Sequence, residues 1–163
     1  GAVDLSPHPL LECSREDELN YALLRVSDLP GLISSRTGHG RPRGWLPLTD
    51  DGTLDPDAPL FILHHPKGGP MQVSMNMSSI IGVNPNGTRV RYRTNTHAGS
   101  AGAPCFDVHW NLAAIHQGTD PAGTYTYNDG IPVTAIRKLL QARGKLDLIE
   151  RHARVAPFLS PFE

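Results

Sequence analysis

Thr94-Asn95-Thr96-His97-Ala98-Gly99-Ser100-Ala101-Gly102-Ala103-Pro104-Cys105-Phe106-Asp107 is the stretch on which the reading of this chain turns. Its centre, Gly99 to Ala103, holds only small residues, and clusters of Gly, Ala and Ser mark loops in any protein. Pro104 fits the first residue of a strand, where a missing N–H costs no ladder bond. Cys105 and Phe106 carry that strand on, with Cys105 as a packed, apolar thiol.

Strand signals surround this loop on both sides. Thr88-Arg89-Val90-Arg91-Tyr92-Arg93-Thr94 alternates cleanly, and Asn84-Pro85-Asn86-Gly87 before it contains Asn-Gly, a strong hairpin turn. Met71 to Met75 alternates and suits a half-buried strand, which Ser79 to Val83 continues. Leu60-Phe61-Ile62-Leu63-His64-His65-Pro66 is a buried run ending in a turn. Downstream, Phe106 to Asn111 is a turn and Leu112 to Gly118 a strand. Gly123 to Val133 supplies a closing strand. Pro132 then opens a helix through Ile136, Leu139 and Leu140, with Arg137 and Lys138 exposed and Gly144 as its stop. Near the start, residues 1–18 read as a loop or arm, and Leu19 to Val26 as a buried strand. Residues 27–59 read as a connector rich in turn residues, with His39 a solvated loop histidine. Residues 145–163 form a tail, either a docking segment or the start of a linker.

Composition narrows the function classes. The 163 residues suit one domain with a modest core. The formal charge of −1 implies no basic face, so nucleic acid is not an expected partner. Fifteen prolines and sixteen glycines favour turns over long helices. The two cysteines, Cys13 and Cys105, are too few for a disulfide framework and suit a reducing compartment, although they could pair. No apolar run is long enough to span a membrane, and no secretory signal is present. The start at Gly1 suggests a fragment, a processed product or a trimmed chain. His64 and His65 raise metal binding, but neighbours on a strand point to opposite faces. With no Cys/His/Asp cluster at ligand spacing, no metal and no cofactor are expected.

With Ala101 read as serine, the central loop becomes Gly-x-Ser-Gly-x-Pro, which resembles the nucleophile loop of trypsin-like (chymotrypsin-fold) serine proteases. Leu19-Asn20-Tyr21-Ala22-Leu23-Leu24-Arg25-Val26 resembles the family's Asp-x-Ala-Leu-Leu-x-Val, with Asn20 where the leading Asp stands. The turn after Leu60–Leu63 and the Gly130-Ile131-Pro132 closing strand, of bacterial type, are also similar. The resemblance covers residues 19–140 in the family's order, and Asn20 and Ala101 lie 81 residues apart. It implies an all-β fold, namely the second six-stranded antiparallel barrel of the double-barrel fold with a C-terminal helix. Residues 1–58 would be the end of the first barrel and the inter-barrel linker, and 59–144 the second barrel. The tail, 145–163, resembles nothing in the family. The match to bacterial intracellular members implies a cytoplasmic location.

The same resemblance assigns roles. The N–H groups of Gly99 and Ala101 would form an oxyanion hole. Ala101 stands at the nucleophile and Asn20 at the residue that orients the catalytic histidine. No family histidine motif precedes Asn20, since His8 lies in Ser6-Pro7-His8-Pro9. The polypeptide is therefore expected to be inactive as it stands, with the histidine half on another chain or absent. Asn95 falls where trypsins carry the Asp that recognises Lys or Arg. Thr96 and His116, in Ile115-His116-Gln117-Gly118, match the offsets at which glutamyl endopeptidases bind a substrate carboxylate. Alternatively His116 is a buried strand histidine bonded to backbone. Three functions stay open: an inactivated serine endopeptidase acting on a peptide or protein substrate, possibly after acidic residues; a pseudoprotease that binds extended peptides; and a structural interaction domain using the tail.

Overall fold

Strands dominate the residues that the computed structural model describes, which are 4–34, 42–119 and 126–153. The chain divides into two units, Leu48–Ala142 and a second one made of Gly1–Pro47 with Arg143–Glu163.

In the terminal unit, β1 (Leu5–Cys13) pairs antiparallel with β2 (Ala22–Val26). Residues 1–18 are thus not a loop. Pro7 and Pro9 are accommodated because the ladder skips between Leu5 and Leu10, where the register shifts. The run Leu19–Val26 is not a buried strand either. Leu19 at its start is buried, but on β2 Leu24 is about half exposed, at 46%, as is Leu10 on β1, at 57%. A short 3₁₀ turn, Pro30–Leu32, follows. Part of the tail forms α2 (Asp147–Ala153). Glu12, whose side chain is buried, receives hydrogen bonds from Arg143 and Lys145, while Arg143 also pairs with Glu18. The Lys145 bond is the main cause that holds the Glu12 carboxyl below its ordinary pKa.

In the other unit, seven strands form one curled antiparallel sheet. They are β3 (Leu60–His64), β4 (Gln72–Asn76), β5 (Ile80–Val83), β6 (Val90–Tyr92), β7 (Pro104–Phe106), β8 (Leu112–Thr119) and β9 (Asn128–Pro132). The order across the sheet is β4-β3-β7-β8-β9-β6-β5. The expected all-β antiparallel architecture is what the chain forms. The strand count rises to seven because the stretch 72–83 breaks at residues 77–79. There the Ser79 and Ile80 amides donate to Ala58 and the Arg93 amide donates to Ser79, drawing the ends of the sheet together. Period-two alternation sends Leu60 and Ile62 inward to join Ile80, Val90, Tyr92, Cys105 and Ala114 in the core. The Asn84–Gly87 turn closes not as a two-residue Asn-Gly loop but through the Gly87 N–H to the Asn84 carbonyl, with Gly87 left-handed at φ +73 and the Asn84 amide bonded to the Arg89 carbonyl.

Two expectations need correction. Met71, Val73, Met75 and Met77 are all more than half exposed, while Ser74 points in. The alternation is real but its phase is inverted, and the inward Ser74 hydroxyl is bonded to His64. Helix α1 (Val133–Ala142) buries Val133, Ala135, Ile136 and Leu140, but Arg137 on its flank is largely buried. Its guanidinium donates to the Leu48 carbonyl and pairs with Asp50, tying the connector to the helix. His39, residues 120–125 and the end of the tail lie outside the described residues. Among the described residues, no helix is long and apolar enough to cross a membrane.

Candidate active site

The loop between β6 and β7 hangs from two buried ends. At the first, Thr94 donates its hydroxyl to the Leu60 carbonyl at 3.2 Å and lies 2.5 Å from the Ser79 hydroxyl. At the second, Ala103 and Pro104 enter the sheet. Between them Asn95, His97, Ala98, Gly99, Ala101 and Gly102 are exposed, Thr96 is half-buried, and Ser100 alone is buried.

Backbone contacts stitch this loop to its neighbours. Lys67 N–H donates to the Ala98 carbonyl, and Gly102 N–H donates to the His116 carbonyl, both at 2.8 Å. The His116 N–H returns to Ala103, also at 2.8 Å. Gly99 has φ +88, a left-handed conformation that glycine adopts without steric cost and that strains any residue with a Cβ. Among the described residues, no backbone carbonyl accepts the N–H of Gly99 or Ala101. Ala101 itself offers only a methyl group to the surface.

Beside the loop, β8 presents a chain of side-chain hydrogen bonds. His116 is 3% exposed, with Nδ1 2.5 Å from the Tyr92 hydroxyl and Nε2 3.2 Å from Thr96 Oγ1. Thr96 Oγ1 lies 3.3 Å from Asn128 Oδ1, and Asn128 Nδ2 donates to the Thr94 carbonyl at 2.7 Å. Two proton orders fit: Tyr92 donates to His116, His116 Nε2–H to Thr96 and Thr96 to Asn128, or Tyr92 donates to the Asp129 carbonyl at 3.2 Å, His116 Nδ1–H to Tyr92 and Thr96 to His116 Nε2; in both, Asn128 donates to Thr94. Burial is the main cause that pushes the His116 pKa down to about 4, so the imidazole is neutral at pH 7. Burial likewise raises the Tyr92 hydroxyl well above its usual range and takes the Cys105 thiol to about 12. The bond from His116 to Thr96 and Tyr92 is to side chains, so its ring is not simply tied to backbone.

The structure brings Thr96, His116, Gly99 and Ala101 together on the loop and the adjoining strand. Asn95 is exposed on the same loop. Gln117 and Gly118 follow His116 on β8. Gln117 Oε1 is buried with no hydrogen-bond partner among the described residues, and a bulge lies between His116 and Gly118. Asn20 belongs to the other unit, where it is exposed at φ +52 and closes a turn through its N–H to the Arg15 carbonyl at 2.9 Å. The two cysteines are free, Cys13 exposed and Cys105 buried. Among the described residues, no group of three or more His, Cys, Asp or Glu side chains could hold a metal.

Sequence reasoning missed four participants. His64 and Ser100 bond each other across the sheet, and Tyr92 and Asn128 complete the His116 chain. For His64 a signal existed: it shares the inward face with Leu60 and Ile62. Asp107 was also missed. Burial alone would raise its pKa, but hydrogen bonds from Thr53, Asn111 and His109 outweigh that and hold it below the ordinary value. Asp107 therefore fastens the connector at Thr53 to the β7–β8 turn.

Comparison with known proteins now bears on this loop. The trypsin-like peptidase domain matches residues 7–115, more than half of the chain. The chain belongs to the trypsin-like peptidase domain family. A probable serine protease of Lysobacter enzymogenes is 25% identical over 123 residues, which is 74% of this chain and 17% of that protein. This trypsin-like chain thus spans less than a fifth of that relative's length. Among solved structures, the Rv3671c protease in its inactive form superposes with a TM-score of 0.58, at 15% identity, over 87% of this chain and 67% of that one. The active form of the same protease, from M. tuberculosis, gives 0.55 at 15% identity, over 82% and 56%. At such identities the likeness is one of fold, and the fold is that of trypsin-like proteases.

Proposed function

We propose that this trypsin-like chain is the second half of a serine endopeptidase unit, silenced at position 101, whose pocket takes an acidic or polar residue before the scissile bond. The observation that carries the reading is the Thr96–His116 pair beside the Gly99–Gly102 loop. A side-chain carboxylate entering there would accept from His116 Nε2–H and from the Thr96 hydroxyl. The neighbouring carbonyl oxygen would accept the N–H groups of Gly99 and Ala101, which no backbone carbonyl of the described residues takes up. An oxyanion hole of this kind contributes about 3–4 kcal/mol in the transition state when a nucleophile is present. Ala101 supplies no hydroxyl, so no acyl-enzyme forms and the chain as given binds without cutting. The base would come from a histidine-bearing half on another polypeptide.

The test joins Ala101→Ser and Asn20→Asp in a chain supplied with a histidine-bearing first half. Hydrolysis of peptides after glutamate, abolished by Thr96→Val with His116→Gln, is the expected result. Peptide binding without hydrolysis in the restored protein would sink the endopeptidase reading and leave a peptide-binding pseudoprotease.

A further inference from the structure

Ser100 is the one fully buried side chain of the exposed stretch 95–102, and what holds it is a histidine from another strand. Its hydroxyl lies 2.6 Å from His64 Nδ1, and His64 Nε2 lies 2.9 Å from the Ser74 hydroxyl of β4. The imidazole is 3% exposed, so neither ring nitrogen has solvent to fall back on. Both partners are hydroxyls, which donate or accept as required, so a neutral ring is satisfied at both nitrogens in either tautomer.

We infer that His64 is a positioning residue for the site loop: it clasps Ser100, and through Ser100 it sets where the Gly99 and Ala101 N–H groups point. This rests on the proposed reading of that loop as an oxyanion site. The lever is short. Ser100 sits between the two N–H groups concerned, and the residues flanking this trio, Ala98 and Gly102, are pinned by Lys67 and His116. Backbone bonds hold the peptide planes of the turn itself, Ser100 N–H to the His97 carbonyl and Ala103 N–H to the Ser100 carbonyl, and the Ser100 side chain adds the tie that anchors the middle of that turn to His64 of β3. The left-handed Gly99 and Gly102, φ +88 and +84, are joints about which the loop could otherwise re-orient. Ser74 completes the device by fixing the ring from the far side.

The clasp has a signature that plain structural support lacks. Removing one partner strands a buried polar atom and costs stability, whereas replacing both by apolar groups is nearly neutral. Ser100→Ala should therefore melt lower than the parent, and Ser100→Ala with His64→Phe should regain most of that loss. Affinity for a tetrapeptide ending in glutamate with a free α-carboxylate, measured by calorimetry, should fall about tenfold or more in the single variant and stay low in the double. In parallel, the amide resonances of Gly99 and Ala101 in the free protein should shift or broaden in both variants. If the double variant recovers affinity and parental amide positions along with its stability, His64 only supports the fold and the inference fails. If Ser100→Ala leaves affinity and both amides unchanged, it also fails. A parent chain that binds no such peptide would count against the proposed function instead. The clasp would then be judged on the two amide resonances alone, where unchanged positions overturn it.

Discussion

The two units of this chain solve the burial of polar groups in opposite ways. In Leu48–Ala142 the sheet curls round a dense apolar centre, and polar side chains inside it are linked in neutral chains: Ser74–His64–Ser100 and Tyr92–His116–Thr96–Asn128. In the terminal unit a two-stranded ribbon leaves Leu5, Leu10 and Leu24 about half exposed, and charge does the fastening, through Glu12 with Arg143 and Lys145. The difference teaches where precision resides. Neutral hydrogen-bond chains need a water-free surround to be worth keeping, and they then fix side chains to a fraction of an ångström. Ion pairs at a partly wet rim tolerate looser geometry and respond to salt.

The sharpest way to break this comparison is to cut one apolar side chain in each unit. Leu60→Ala, at a fully buried position, should destabilise the sheet by about 2–5 kcal/mol in chemical denaturation. Leu24→Ala on the ribbon should change stability by about 0.5 kcal/mol or less. Equal effects would mean that the ribbon is as well packed as the sheet.

A pH series sharpens the contrast further. Histidine titrates near 6.5 when unfolded, whereas His116 in the folded sheet holds out to about 4. Between these values the unfolded chain binds the extra proton, so stability rises with pH across the window and is lost as pH falls through it. The slope for one such group reaches roughly 1.4 kcal/mol per pH unit. His64 is lowered too, chiefly by burial, and acts in the same direction. His116→Gln should flatten the pH dependence of the unfolding free energy between pH 6.5 and 4, leaving the part due to His64. An unaltered slope would mean that His116 is not protected from protons.

Glu12→Gln tests the rim. It should speed proteolytic nicking within the β1–β2 ribbon and weaken the salt dependence of that nicking, the Arg143–Glu18 pair remaining, with the unfolding of the sheet unmoved. The smallest effect is chemical. Cys13 should react with a thiol reagent in the native protein, whereas Cys105, its thiol buried and raised to about 12, should react only on unfolding. Prompt labelling of both would contradict the dry interior on which the neutral chains depend.

The same division governs what could be read in the sequence. Local rules reached the turn at Asn84–Gly87, the apolar run of β3 and a helix after the closing strand, because each is written within a few residues, although Pro132 ends β9 and the helix starts one residue later, at Val133. The small-residue loop at Gly99–Gly102 and the Thr96/His116 pair were also legible, through spacing and resemblance. Bonds between distant residues were not. Ser100 and His64 stand 36 residues apart, and Tyr92 and His116 stand 24 apart. No local propensity encodes such partners. Pro7 and Pro9 misled in the other direction, since a strand that skips ladder positions accommodates prolines a regular one would refuse. The inverted phase of Met71–Met77 was not legible either, because the inward partner of Ser74, His64, lies on another strand.

The β7–β8 turn has a use in the hand of an experimenter. Asp107 holds it so that Trp110, at φ +62, stacks on Phe61 with ring centres 5.3 Å apart and planes 19° apart. The chain's other tryptophan, Trp45, packs in the terminal unit so closely over Gly31 that an added Cβ would come within 2.3 Å of its ring. Each unit therefore carries its own native fluorophore. Trp45→Phe leaves an optical signal from the sheet alone, Trp110→Phe one from the terminal unit alone. The unfolding of each can be followed in the intact chain without an attached dye.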